Sequence, residues 1–333
     1  MSPYRTQLYR LVFAAAAVYN VAFGLWAALR PRSFFDWFDL VAPLYPSIWA
    51  CLGMVVGLYG LGYAYAARHL DRAAPFIAIG LAGKLLGPAG WVLAVRNGEW
   101  PIRTVALVLF NDAIWWVPFA LFLLEGTRAA AALRRSAPYV CAVVNLAALV
   151  AMATALRAGT EMVPAASDRI AYVLAHPVTW RAGWALWMAA AVSLVAFYAW
   201  WADYVEERAW ALAALAIATV GLAGDLAGEA LLIGWVPRDY QRVAPLATLL
   251  TGAVANGLYT VAGIILTLKT PSLPRSVRLL AWSAWTAGAC VTVATLARAP
   301  FAIAIATTLL FLSFCPYAVL LGRDLNARTN AES

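Results

Sequence analysis

The chain has 333 residues, of which 64% are hydrophobic and only 12% charged, and its mean hydropathy is +0.77. A soluble globular protein carries about 25% charged residues, so this composition excludes an ordinary cytosolic enzyme, a disordered chain and a secreted disulfide scaffold, and implies a polytopic helical membrane protein. The net charge of +8 comes mostly from Lys and Arg in short segments between apolar runs, as at an anionic membrane surface, and no basic, aromatic-interleaved patch suggests nucleic acid.

A span needs about 20 apolar residues. Ten stretches qualify: Leu8–Leu29, Ile48–Ala67, Pro75–Val95, Thr104–Leu124, Pro138–Leu156, Ala182–Ala202, Ala209–Trp235, Ala244–Leu268, Leu279–Leu296 and Ala299–Leu321. The first follows Arg5 and Arg10 and has no A-x-A-like cleavage site, so it is expected to be a retained span rather than a signal peptide. Two segments look interfacial. Ser33–Leu40 places Phe34, Phe35, Trp37 and Phe38 opposite Asp36 and Asp39 on a short amphipathic helix. Asp168–Trp180 is expected to cap the sixth span. The ninth and tenth spans are separated only by Ala297 and Arg298, which requires a tight hairpin. The basic stretch around Arg128, Arg134 and Arg135 is the best boundary. The expected architecture is all-α: a four-span bundle over 1–126, a six-span bundle over 137–323 and a polar tail over 324–333. Loop Lys and Arg slightly favour the side holding both termini, which places the termini in the cytoplasm of a cell (inner) membrane protein.

The four cysteines, Cys51, Cys141, Cys290 and Cys315, lie singly inside apolar runs and read as small core residues. The two histidines, His69 and His176, fall in connecting segments. No haem, di-iron or zinc ligand pattern is present, so no metal is expected.

The first half carries distinctive strings. They are Tyr19-Asn20 with Phe23-Gly24-Leu25-Trp26, Trp49 to Gly57 (WACLGMVVG), Gly83-Lys84-Leu85-Leu86-Gly87-Pro88, and Asn111 to Phe119 (NDAIWWVPF). Over roughly residues 8–125 it resembles small four-span bacterial membrane proteins of the DoxX-like type, some of which are labelled alkyl hydroperoxide reductase. That resemblance implies an association with quinone-linked membrane redox assemblies, with quinone as a possible cofactor or ligand. No resolving cysteine pair supports a peroxidase. The second half resembles only uncharacterised multi-span membrane proteins.

Charges inside a span are costly, and four residues qualify: Lys84, Asp112, Asp225 and Glu229. Counting 1.5 Å per residue, Lys84 lies about 13 Å and Asp112 about 18 Å from the same surface, on spans joined by a short loop. A buried Lys84–Asp112 ion pair is expected. Gly83 and Gly87, like Gly53 and Gly57, are spaced for close helix packing. Asn111 adds a polar neighbour, and Gly87-Pro88 frees a carbonyl for the ammonium. The pair either specifies helix register or binds the polar head of a ligand. Trp115-Trp116 nearby reads as part of an interfacial aromatic belt.

Asp225 and Glu229 are four apart on one helix face. Like carboxylates at that spacing suit acid–base chemistry. Asn256, in the stripe Gly252, Asn256 and Thr260, is expected to meet Asp225. Glu229 is expected near the interface, within reach of Arg181, Arg238 or Arg242. The constellation is a polar clamp, a catalytic pair, or a cation or proton path. Trp180, Trp184 and Trp187 recur at helical spacing and either pack or line an apolar pocket.

Three functions fit these features. The first is a lipid- or quinone-binding protein accessory to a membrane redox assembly. The second is a metal-independent acid–base enzyme, an isomerase or cyclase, acting on an isoprenoid lipid. The third is a proton-coupled transporter.

Overall fold

The structure, a computed structural model, describes residues 3–237 and 239–332. Every regular element among them is helical, and nine helices are long and apolar enough to cross a membrane. Helices satisfy their own backbone hydrogen bonds, which is what a chain in hydrocarbon requires. The protein is an all-α, multi-pass membrane protein. Its chain divides into two compact units, Met1–Ala131 and Ala132–Ser333.

The first unit contains α1 (Pro3–Leu29), α2 (Ser33–Trp37), α3 (Pro46–Arg68) and α4 (Ala74–Arg96). A broken helix comes next: α5 (Val105–Val108), a π turn over Leu109–Ala113, and α6 (Ile114–Leu123). The expected fourth span, Thr104–Leu124, is therefore helical but interrupted. Helix α1 packs chiefly on α3, and α4 on α6. Glycines set the first contact. A Cβ on Gly24 would lie 2.6 Å from the Gly53 carbonyl oxygen and 2.7 Å from Gly57 Cα, so the two backbones touch. By contrast Gly83, expected to form a packing pair with Gly87, has nothing within 4 Å of its Cβ position.

The core of this unit is aromatic. Phe13 meets Phe122 edge-on at 4.9 Å and Phe119 at 5.7 Å, with Tyr63 and Ile77 packed around them. One end is tied by Arg5 to Glu125 at 2.6 Å, and Tyr9 donates to the same carboxylate. The interfacial segment forms a helix as expected, but its aromatics do not share one outer face. Phe34 and Phe35 turn inward onto Trp49, at 4.8 and 5.1 Å, while Trp37 is 75% exposed.

The second unit is built from α7 (Arg128–Ala151), which continues through a π turn over Met152–Leu156, then α8 (Ala166–Ala175), α9 (Pro177–Ala202) and α10 (Arg208–Gly234). Next come α11 (Tyr240–Thr248), a π stretch over Leu249–Ala255, α12 (Asn256–Lys269), α13 (Arg275–Leu296) and α14 (Pro300–Glu332). Prolines open α9 and α14, where a missing N–H costs nothing. Residue Pro177 starts α9 earlier than expected, so Trp180 belongs to that helix and not to the segment before it. The α13–α14 hairpin closes through Arg298 in the left-handed region, φ 53°.

Helix direction places residues 157–176, 235–237 and 297–299 at one end of this unit. Away from that end lies a cluster of rings: Tyr198, Trp201, Trp285, Phe314 and Tyr317. Its indole N–H groups are satisfied, as burial demands. The Trp285 indole donates to Thr267 at 2.8 Å and that of Trp201 to Thr270 at 2.8 Å. On both units large aliphatic side chains such as Leu58, Leu86, Val220, Leu279 and Leu309 face outward. Such surface is suited to contact with the lipid bilayer.

Candidate functional site

In the first unit Lys84 and Asp112 come together. Their Nζ and Oδ1 atoms are 3.6 Å apart, and each residue is 6% exposed. The Lys84 ammonium also donates to the Asn111 carbonyl, and the Asn111 amide donates to Asp112 Oδ1 at 2.8 Å. The residues at positions 111 and 112 sit in the π turn, so the widened turn carries both the carboxylate and the carbonyl that the ammonium meets. Glycine at 87 leaves room for the carboxylate, since a Cβ there would stand 3.1 Å from Asp112 Oδ2.

The proline expectation needs correction. Proline 88 lacks the N–H that would bond the carbonyl four residues earlier, and that carbonyl is Lys84's own. It does not meet the ammonium. It accepts from the Trp116 indole at 2.8 Å instead. Trp116 is thus a partner in the polar knot, beyond its expected place in an aromatic belt.

In the second unit Asp225 and Glu229 lie in the wall of a cavity of about 430 Å³. The wall also includes Asn256, Gly252, Thr260, Trp184 and Trp187. The cavity runs from Arg157, Thr160 and Glu161, at the end of the unit that holds residues 157–176, down to Tyr198, Trp285 and Phe314. Two of the three π segments border it, through Met152 and Ala153 on one and Thr251 and Gly252 on the other. π turns often mark functional positions because they interrupt regular bonding and redirect side chains.

The partners differ from those expected. Asp225 accepts from the Tyr259 hydroxyl at 3.2 Å, not from Asn256. Asn256 turns toward α13 and donates to the Gly288 carbonyl at 2.6 Å and to Thr292 at 2.9 Å. Tyr198 holds the other side of this arrangement, donating to the Tyr259 carbonyl at 3.0 Å. Residue Tyr259 is three positions from Asn256, and a full helical wheel of that span would have offered it as an alternative.

Glu229 is not at a wet interface. It is 0% exposed, and neither carboxylate oxygen has a hydrogen-bond partner among the described residues. Arg242 faces Asp239 at 3.7 Å, the Arg181 Nε atom has no partner, and Arg238 lies outside the described residues. Helix α10 is pulled tight here. A Cβ on Gly228 would lie 2.7 Å from Thr251 Cγ2, so α10 and the π stretch are in close contact one residue before the carboxylate.

The tryptophan stripe splits. Trp180 packs, with its indole donating to the Leu232 carbonyl at 2.7 Å and its ring against Gly159. Trp184 and Trp187 reach the cavity, and neither indole N–H has a partner among the described residues. Trp187 continues onto Phe311 at 5.5 Å. Comparison with protein-family models, with curated proteins and with solved structures finds no match to this chain.

Proposed function

We propose that the protein binds one hydrophobic molecule in the cavity of its second unit, of the quinone or isoprenoid-lipid class. The observation that carries this is the cavity itself. Its volume of about 430 Å³ is that of a small-molecule site, and its wall is aromatic and aliphatic with a few convergent polar groups. Such a volume suits a ring head and the first part of a chain.

In the same reading the first unit is a four-span, DoxX-like bundle. Its broken helix over 105–123 is a tenth span, since its 19 residues at 1.5 Å each reach about 29 Å. Both termini are then cytoplasmic, in the cell (inner) membrane, and the protein serves as an accessory to a membrane redox assembly. The test is mass spectrometry of the organic extract of purified protein, compared with the variant Ala304→Trp, which fills the cavity. One quinone or isoprenoid lipid enriched in the wild type and lost in the variant is the expected result. Bulk phospholipid alone in both would refute it.

A second reading is favoured by one observation: the Tyr259–Asp225 hydrogen bond and the unpartnered Glu229 share the wall of this cavity. They are positioned for acid–base chemistry on an isoprenoid lipid, an isomerisation or cyclisation that needs no metal. Asp225→Asn would then stop turnover while the protein stays folded.

A further inference from the structure

The polar atoms of the cavity are unequal in kind. Two donors, the indole N–H groups of Trp184 and Trp187, have no partner among the described residues, while the following hydroxyl and amide donors are spoken for. The Tyr259 hydroxyl goes to Asp225 and the Tyr198 hydroxyl to a backbone carbonyl. The Asn256 amide is shared between Gly288 and Thr292, and the Asn145 amide bonds Cys141 and Ser193. Thr251, Thr260 and Thr295 each donate to a carbonyl one turn back in their own helices. The groups still free are mostly acceptors: both oxygens of Glu229 and the lone pairs of those threonines.

Charge is equally one-sided. The acidic residues lining the cavity are Glu161, Asp225 and Glu229, and the one basic residue there, among those described, is Arg157 at the mouth. No cation of the unit reaches Glu229 among the described residues. A buried carboxylate without a partner is costly, by several kcal/mol if ionised, so it either holds a proton or is completed by a cation. The wall of the same cavity also carries aromatic rings, among them Trp184, Trp187 and Tyr259. Aromatic faces attract cations.

We infer that the ligand of this cavity is a lipophilic cation: an apolar body bearing a protonated nitrogen that meets Glu229 and Asp225 and is flanked by Trp184 and Trp187. The inference rests on the reading of the cavity as a site for one hydrophobic molecule, keeps the apolar body of that reading and puts a cationic head in place of the quinone head. A quinone head offers carbonyl acceptors only; it would take the free indole N–H groups of Trp184 and Trp187 but has nothing to donate to the carboxylates. An ammonium supplies N–H donors, balances the carboxylate charge and gains from the rings.

The test compares two probes with one ring system, 9-aminoacridine, which is cationic at neutral pH, and acridine, which is neutral. Each is titrated onto the full chain in lipid nanodiscs, with empty nanodiscs subtracted. Tighter binding of 9-aminoacridine by about tenfold is expected from a charge placed among carboxylates and rings. Glu229→Gln removes charge without changing shape and should erase that preference, as should Asp225→Asn in part. Equal binding of the two probes, or a preference that survives Glu229→Gln, overturns the cation inference and leaves the ligand site standing. Absence of saturable binding by either probe overturns both.

Discussion

The indole of Trp116 donates to the carbonyl of Lys84 at 2.8 Å, in the place that the missing N–H of Pro88 would have filled. One helix thus repairs a break in its neighbour. The repair also fixes the rotation of α4 against α6, so the Lys84 side chain faces the π turn that carries Asp112.

Trp116→Phe keeps the ring and removes the donor. It should lower stability by about 1–2 kcal/mol, the range of interhelical hydrogen bonds in membranes. Pro88→Ala restores the N–H that the carbonyl lacks, so in that background Trp116→Phe should cost little. A double-mutant cycle of unfolding in bicelles measures the difference. Additive losses would show that the indole is not serving that carbonyl.

The Lys84–Asp112 pair should behave asymmetrically. Removing one partner leaves an uncompensated buried charge, which costs about 3–5 kcal/mol. Lys84→Met or Asp112→Leu alone should therefore reduce folded yield sharply. The double variant Lys84→Met/Asp112→Leu should recover most of it, since both charges leave together. Folded fraction by size-exclusion chromatography reads this directly. A double variant as unstable as the worse single one would contradict the pairing.

Much of this arrangement was legible because depth along a helix is simple arithmetic. Lys84 and Asp112 lie on consecutive helices joined by a short loop, and their depths differ by no more than a lysine side chain can reach, so contact was expected. The same arithmetic misassigned Asn256. It places a residue along the axis but not around it, and the π stretch over Leu249–Ala255 winds wider than an α-helix and resets the angle of the residues after it. Asn256 consequently faces α13, and Tyr259 takes the position on Asp225. The π turns left no sign in the residues themselves. Glu229 was misplaced for another reason. Its distance from the end of α10 suggested water, but the close contact of Gly228 with the π stretch keeps that part of α10 inside the bundle, where Glu229 is 0% exposed. The all-α, multi-pass character, by contrast, follows from hydropathy alone, because no other structure satisfies so apolar a backbone.

Glycine packing gives a third prediction. Gly24→Ala should destabilise the first unit by about 1–3 kcal/mol, because its Cβ would land on backbone atoms of α3 that cannot move aside. Gly90→Ala is the matched control, with nothing within 4 Å of its Cβ position. It should be neutral or slightly stabilising, since alanine favours the helix. Thermal unfolding in one detergent, run on both variants, distinguishes them. Equal effects would mean the α1–α3 contact is looser than described.

The span count is open to a direct measurement. If the broken helix over 105–123 crosses the bilayer, the number of crossings is even and both ends of the chain lie on one side. If it does not, the ends lie on opposite sides. Fluorescent-protein and alkaline-phosphatase fusions at each terminus report this by which reporter is active. Cytoplasmic signals at both ends are expected, and signals on opposite faces would leave nine crossings.

The last prediction separates clamp from site in the second unit. Asn256 ties α12 to α13 through two hydrogen bonds, at 2.6 and 2.9 Å, so Asn256→Ala should cost about 1–2 kcal/mol of unfolding free energy. Tyr259→Phe removes one hydroxyl from Asp225 and leaves its backbone carbonyl, held by Tyr198, untouched. Its effect on unfolding should be under about 1 kcal/mol, the usual size of one such bond. Its effect on the cavity should be larger, because Asp225 loses the one hydrogen bond found for it and turns its acceptor capacity toward the bound molecule. Affinity for 9-aminoacridine should therefore change in Tyr259→Phe at nearly constant stability. In Asn256→Ala stability should fall first. If instead Tyr259→Phe unfolds the protein and leaves affinity unchanged, the Tyr259–Asp225 contact is a strut between α10 and α12 and takes no part in binding.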